Sequence, residues 1–151
     1  MLLEHISLIL YSLILAAIFI IDLKRRLILD IVTYPAMVLT LLVAILGGDI
    51  IGTLIGGIIG FGFYFGLSLI MRNRIGIGDI KLGALIGLMV GYPVVVIAIV
   101  LAWVIGGIAS VLILTVKHKE IKGDIPFGPF MATAAIITLL WGNDIWRLLA
   151  W

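Results

Sequence analysis

The hydrophobic residues of this chain form long runs that are separated by short clusters of charge. The runs cover positions 6–21, 31–46, 50–71, 80–116 and 126–140. A helix needs about 20 apolar residues to cross a bilayer, so the run 80–116 is too long for one span and long enough for two short ones. We place the break at Gly91-Tyr92-Pro93, because proline removes a helix donor and clashes with the preceding turn. The pattern therefore predicts six helices.

Composition places these helices in a membrane. Of the 151 residues, 64% are hydrophobic and only 12% are charged. Only helices or closed barrels satisfy every backbone amide in lipid, and the alternating pattern of barrel strands is not visible in this sequence. We therefore predict an all-α fold, a polytopic membrane helical bundle that forms a single domain over 1–151. The first five residues lack the basic start of a cleaved signal peptide, so we expect the first span to be retained.

The basic residues predict the orientation of the bundle. If the six spans alternate in direction, nine of the ten Lys and Arg residues fall in connections on one side. Basic residues in short loops mark the cytoplasmic side, so the sequence predicts an inner-membrane protein with both termini outside. The nine are Lys24, Arg25, Arg26, Arg72, Arg74, Lys81, Lys117, Lys119 and Lys122, and the tenth, Arg147, lies opposite.

The same topology places two aspartates, Asp22 and Asp79, at one membrane boundary. An ionisable group near lipid is costly and is a functional candidate for that reason. Taken singly, Asp22 could be an ordinary interfacial charge beside three basic residues, and Asp79 could be a helix cap. Taken together, they suggest a pair of carboxylates that shares one proton. One member could then take a proton from water while the other polarises a carbonyl group.

Glycines surround the second aspartate and recur along two of the runs. Gly76 and Gly78 lack Cβ, so their backbone can adopt unusual dihedral angles or approach another chain closely. Small residues four positions apart let membrane helices pack backbone to backbone. Four-residue steps lead from Asp79 to Gly83, Gly87 and Gly91, and the same spacing joins Gly52, Gly56 and Gly60 in the third run. Gly62 and Gly66 follow in that run, four positions apart from each other.

These motifs resemble a known family. The segment 76–82 is similar to the Gly-x-Gly-Asp-x-Lys signature of type IV prepilin peptidases, which are aspartyl proteases of the cytoplasmic membrane. The segments 22–28 and 125–130 resemble two further family segments, in the same order along the chain. The resemblance implies that Asp22 and Asp79 are the catalytic residues. It also implies substrate-binding or motif-supporting roles for Gly76, Gly78, Lys81, Pro126, Gly128 and Pro129.

The resemblance also implies a substrate class. The expected partners are type IV prepilin-like precursors of the pilin, pseudopilin or archaellin type, from which a short basic leader is removed at the cytoplasmic membrane face. Asp30, Glu120 and Asp124 are candidate counter-charges for that leader, and membrane lipid is a second expected partner. We expect Lys81 to point away from Asp79, toward the interface or a lipid phosphate. No nucleic-acid partner is expected.

Two departures from the family pattern narrow these expectations. Family members often have Pro-Asn where this chain has Leu29-Asp30, which predicts a different turn into the second span. Larger bacterial members carry an insertion with cysteine pairs that is associated with N-methylation, whereas this sequence has no cysteine. We therefore expect a peptidase without methyltransferase activity. His5 and His118 have no metal-ligand spacing, so no metal and no cofactor are expected.

Two other classes of protein remain open at this point. A small proton- or cation-coupled transporter could use Asp22 and Asp79, with a broken helix near Pro93. Both aspartates, however, are expected at one boundary rather than near the midplane. A structural membrane subunit could use the glycine faces for packing, but it would leave the Gly-x-Gly-Asp spacing unexplained.

Overall fold

The computed structural model describes residues 2–25, 28–71, 75–116 and 127–150. Within these ranges the chain forms six α-helices and no strand, which confirms the predicted all-α class and the predicted number of helices. The helices are α1 (Leu2–Arg25), α2 (Asp30–Gly47), α3 (Ile50–Ile70), α4 (Ile77–Val90), α5 (Val95–Val116) and α6 (Gly128–Leu149).

Two of the predicted helix boundaries are confirmed in detail. Gly48 follows α2 with a left-handed φ of 81°, and the Asp49 side chain then caps α3 by accepting a hydrogen bond from the Gly52 N–H at 3.2 Å. Gly91 follows α4 with a φ of 69°. The Tyr92 N–H donates to the Gly52 carbonyl at 2.9 Å, which ties the α4–α5 turn to the start of α3.

Two other boundaries differ from the prediction. α4 begins at Ile77 rather than at position 80, so Gly78 and Asp79 lie inside its first turn. α6 continues to Leu149 instead of ending near position 140, although its sequence becomes more polar there. The reason is packing, because Gly142 is buried and leaves room for the side chain of Val94 at the start of α5.

The short helix α4 lies at the centre of the bundle and packs against α2, α3, α5 and α6. Its contact with α3 is the closest, since a Cβ on Gly87 would collide with the Gly56 carbonyl and a Cβ on Gly60 with the Gly83 carbonyl. The predicted glycine packing is therefore confirmed for these two helices. It is wrong for Gly62 and Gly66, because a Cβ on either residue would meet no atom of another helix within 4 Å. Both lie two residues out of step with the packed face, about 200° around the helix.

In the part of the chain that the structure describes, four helices are long and apolar enough to cross a membrane: Leu2–Arg25, Asp30–Gly47, Ile50–Ile70 and Val95–Ile113. Large hydrophobic side chains such as Ile9, Val38 and Ile58 are exposed on their outer faces, where lipid would cover them. α4 has 14 residues and rises about 21 Å, which is less than the hydrocarbon thickness of about 30 Å, but its neighbours bury it. The protein is a multi-pass membrane protein.

Candidate active site

Asp22 is buried at the end of the bundle where α1 finishes and α6 begins. Its side chain is only 4% exposed, although three basic residues follow it in the sequence. The Gly128 N–H, at the first residue of α6, donates a hydrogen bond to the Asp22 carboxylate. A Cβ on Gly128 would overlap the Asp22 Oδ2 atom. The α6 motif therefore supplies a backbone donor, and glycine is needed for that donor to approach the carboxylate.

Asp79 comes from the centre of the bundle, in the first turn of α4. The N-cap position of this helix is Gly76, so the interpretation of Asp79 as the cap is wrong. The Asp79 carboxylate leans back over the start of the helix, with Oδ2 3.7 Å from the position of a Cβ on Gly76. It also interacts electrostatically with Asp22. The fold thus brings together two carboxylates that are 57 positions apart (79 − 22).

Ile28, in the connection between α1 and α2, packs between the two glycine motifs. A Cβ on Gly78 would lie 3.1 Å from the Ile28 Cβ, and a Cβ on Gly128 would lie 3.5 Å from the Ile28 Cδ1. The glycine at 78 therefore serves close approach. The expected unusual dihedral angles are not found, because Gly78 is helical and Gly76 has φ −63° and ψ 143°. Ile28 falls in a motif segment, yet sequence reasoning assigned it no role.

Tyr64 in α3 is a second residue that sequence reasoning missed. It is 3% exposed and interacts electrostatically with Asp79. Its ring fills the space beside Gly83, one helical turn after Asp79, where a Cβ would collide with it. The ring centroid lies 6.4 Å from that of Phe127, which precedes α6. A signal was present in the sequence, because Tyr64 continues the four-residue spacing of Gly56 and Gly60.

Lys81 extends toward α2. Its Nζ lies 2.8 Å and 2.9 Å from the two carboxylate oxygens of Asp30 and 5.1 Å from the centroid of the Tyr34 ring. A partner on α2 therefore takes the charge of Lys81, a contact that the sequence did not predict, whereas the expected role at the interface or on a lipid phosphate stays a prediction. Asp30, one of the candidate counter-charges for a leader, is already neutralised by this contact.

The remaining predicted residues divide into two groups. Pro129 is buried in the first turn of α6, where its missing N–H has no cost, and it follows the glycine that contacts Asp22. Pro126, Glu120 and Asp124 lie outside the described residues.

The chemistry of the site rests on the two carboxylates. Within the ranges that the structure describes, no group of three or more His, Cys, Asp or Glu side chains could hold a metal ion. Two adjacent carboxylates can exchange one proton with each other and with water, which suits general acid–base catalysis.

Comparison with known proteins gives a family match. The sequence model of the type IV leader peptidase family matches residues 9–111, a range that contains both Asp22 and Asp79. This chain belongs to that family. The predicted resemblance is confirmed, and the family gives no support to the transporter interpretation. No solved structure matches the chain significantly.

Three relatives show how far the likeness extends. A protein of Aeromonas salmonicida is 32% identical over 141 residues, which are 89% of this chain and 48% of the relative. A protein of Aeromonas hydrophila is 31% identical over 89% of this chain and 49% of its own length. A protein of Pseudomonas aeruginosa is 31% identical over 88% of this chain and 48% of its own length. All three are named prepilin leader peptidase/N-methyltransferase, and this chain spans about half of their length.

Proposed function

We propose that this protein is a membrane aspartyl endopeptidase in which Asp22 and Asp79 activate water for the hydrolysis of a peptide bond. The observation that carries the proposal is that these two carboxylates lie at one end of the bundle, near enough to interact electrostatically, with Asp22 almost completely buried. The burial of Asp22 and the half-burial of Asp79 are difficult to explain by packing alone, because each carboxylate costs free energy to remove from water. Membership of a peptidase family supports the same conclusion.

The proposed reaction needs one ionised and one protonated carboxyl group. The ionised group takes a proton from water, and the water oxygen attacks the carbonyl carbon of the scissile bond. The protonated group gives its proton to the carbonyl oxygen, which forms a tetrahedral intermediate. When this intermediate collapses, the C–N bond breaks and the leaving nitrogen takes up a proton from the carboxyl group that first deprotonated the water. One hydroxyl of the intermediate returns its proton to the other carboxylate, which leaves a carboxylic acid product and restores the starting state of the pair. The Gly128 N–H holds the Asp22 carboxylate in place during these transfers.

The proposed substrates are type IV prepilin-like precursors. The relatives named above are prepilin leader peptidases, and the matched region of this chain includes both aspartates. Such a precursor would present its leader junction at the end of the bundle that holds Asp22 and Asp79. The exposed apolar faces of α1, α2, α3 and α5 would contact membrane lipid and the hydrophobic helix of the precursor.

We place the site at the cytoplasmic face of the cytoplasmic membrane. The argument is the charge pattern of the sequence, because alternation of the six spans assigns nine of the ten basic residues to the same side as Asp22 and Asp79. For these 151 residues we propose the peptidase step alone, since the resemblance ties N-methylation to cysteine pairs and the sequence includes no cysteine. The mass of the processed product tests this last point, because an unmethylated amino terminus is expected.

Co-expression with a prepilin-like precursor tests the proposal. Loss of the leader is followed on a gel for the wild type, for Asp22→Asn and for Asp79→Asn, with the amount of enzyme in the membrane measured in parallel. Asparagine keeps the size of the side chain but cannot exchange the proton, so each single change should stop cleavage. Asp144→Asn is the matched control, because this aspartate is exposed near the opposite end of α6. Near-normal processing by either Asp22→Asn or Asp79→Asn would contradict the assignment.

A further inference from the structure

The contact between Lys81 and Asp30 joins two helices close to the proposed dyad. Both oxygens of Asp30 accept hydrogen bonds from the same Lys81 Nζ, at 2.8 Å and 2.9 Å. The ammonium group also lies 5.1 Å from the centroid of the Tyr34 ring, one turn further along α2. A carboxylate and an aromatic face on one helix therefore hold a single cation from another.

The ion pair between Lys81 and Asp30 lies close to Asp79 along the chain. Lys81 follows Asp79 by two residues in α4, and Asp30 follows Ile28 by two residues at the start of α2. The Ile28 side chain already packs on Gly78 and Gly128. The Lys81–Asp30 ion pair thus lies beside the apolar contact between Ile28 and Gly78. Together the two contacts connect the start of α2 to the turn that carries Asp79.

We propose that the Asp30–Lys81 ion pair, supported by the Tyr34 ring, is a clasp that holds the first turns of α4 against the start of α2 and so positions Asp79 opposite Asp22. Neither residue needs to touch the substrate, so both are positioning residues. The effect of the clasp on catalysis rests on the proposed function, whereas its role in holding α4 against α2 does not.

The expected size of the effect follows from the exposure of the partners. The Asp30 side chain is 57% exposed and that of Lys81 is 25% exposed. Ion pairs that are open to solvent shift an equilibrium by about two- to fivefold, far less than the loss of a catalytic group. The clasp should therefore adjust the position of Asp79 rather than decide whether the bundle folds.

Disulfide formation measures the clasp without any substrate. The chain has no cysteine, so Ile28→Cys with Gly78→Cys introduces a single pair without competing thiols. Their Cβ atoms would lie 3.1 Å apart, so a disulfide with its usual Cβ separation of about 3.5–4.5 Å forms after a small outward shift. Lys81→Met and Asp30→Ala should each slow oxidation of this pair in proteoliposomes by about two- to fivefold. Lys81→Arg, which keeps the charge, should restore the rate, and the double variant should be no slower than either single one. An unchanged rate in both single variants would overturn the proposal.

The catalytic consequence is measured separately, in the protein without introduced cysteines. Lys81→Met and Asp30→Ala should lower kcat by about two- to fivefold and leave KM unchanged, with recovery in Lys81→Arg. Asp144→Asn is the matched control and should cleave at the wild-type rate. A change in KM alone would overturn the positioning role, because it would mean that Asp30 contacts the leader. If the wild type cleaves no precursor, the proposed function fails while the disulfide rates still decide the clasp.

Discussion

The backbone N–H of Gly128, the first residue of α6, donates a hydrogen bond to the carboxylate of Asp22 near the end of α1. The first and the last helix of the bundle therefore meet at the proposed catalytic pair. This contact leaves no space for a side chain, because a Cβ on Gly128 would overlap Asp22 Oδ2. Gly128, in the motif segment 125–130, thus shapes the surroundings of Asp22 in the segment 22–28.

Gly128→Ala should therefore lower kcat without unfolding the protein. The added methyl group must displace the Asp22 carboxylate, and a shift of about 1 Å in a catalytic group can cost about 10²-fold in rate. Cleavage of a precursor by purified enzyme in proteoliposomes measures this loss. Gly107→Ala is the matched control, because a Cβ there meets nothing within 4 Å. Wild-type cleavage by Gly128→Ala would show that this close contact is not needed.

A second prediction concerns the packing of α3 against α4. Gly87→Ala should destabilise the protein, because its Cβ would collide with the backbone carbonyl of Gly56 and force the two helices apart. Overpacking of this kind costs about 1–3 kcal/mol. Thermal unfolding in detergent should show a lower midpoint for Gly87→Ala and little change for Gly66→Ala, whose Cβ would enter open space. Equal midpoints for the two variants would contradict the packing account.

The sequence predicted the six helices and the pair of aspartates, because both depend on local signals. Runs of apolar residues set the helices, and a carboxylate beside lipid is conspicuous wherever it occurs. The partners of Lys81 and the roles of Ile28 and Tyr64 could not be predicted in this way. They depend on how α2, α3 and α4 pack. The four-residue spacing after Gly56 and Gly60 marks Tyr64 as part of the packed face but does not indicate that it lies near Asp79, and Ile28 stands in a connection where an isoleucine has no distinctive pattern.

Tyr64 offers a third prediction. Tyr64→Phe keeps the ring that packs beside Gly83 but removes the hydroxyl group, the polar end of a buried side chain that lies near enough to Asp79 to interact with it electrostatically. The loss of one polar group beside Asp79 should lower kcat by about two- to tenfold and leave the unfolding temperature unchanged. Tyr64→Ala should lower both quantities, because it also removes buried ring surface. If Tyr64→Phe cleaves like the wild type, Tyr64 only packs against α4.

A fourth prediction concerns the orientation of the bundle in the membrane. The bias of basic residues predicts that a reporter fused after Trp151 reads external, whereas one fused after Glu120 reads cytoplasmic. Both fusions are compared for reporter activity at matched expression levels. A cytoplasmic signal from the fusion at Trp151 would contradict the proposed topology and with it the placement of the site at the cytoplasmic face.

The central claim is that Asp22 and Asp79 act as one unit. The most direct measurement is a double-mutant cycle on kcat with a purified prepilin-like precursor, using Asp22→Asn, Asp79→Asn and the variant that carries both changes. Each single change should lower kcat by about 10²- to 10⁴-fold, which is the contribution of a general acid or base. The double variant should be no slower than the slower single variant, because a pair that shares one task is lost when either member is lost. Independent, multiplying losses, or a single variant that keeps near-normal activity, would contradict the account.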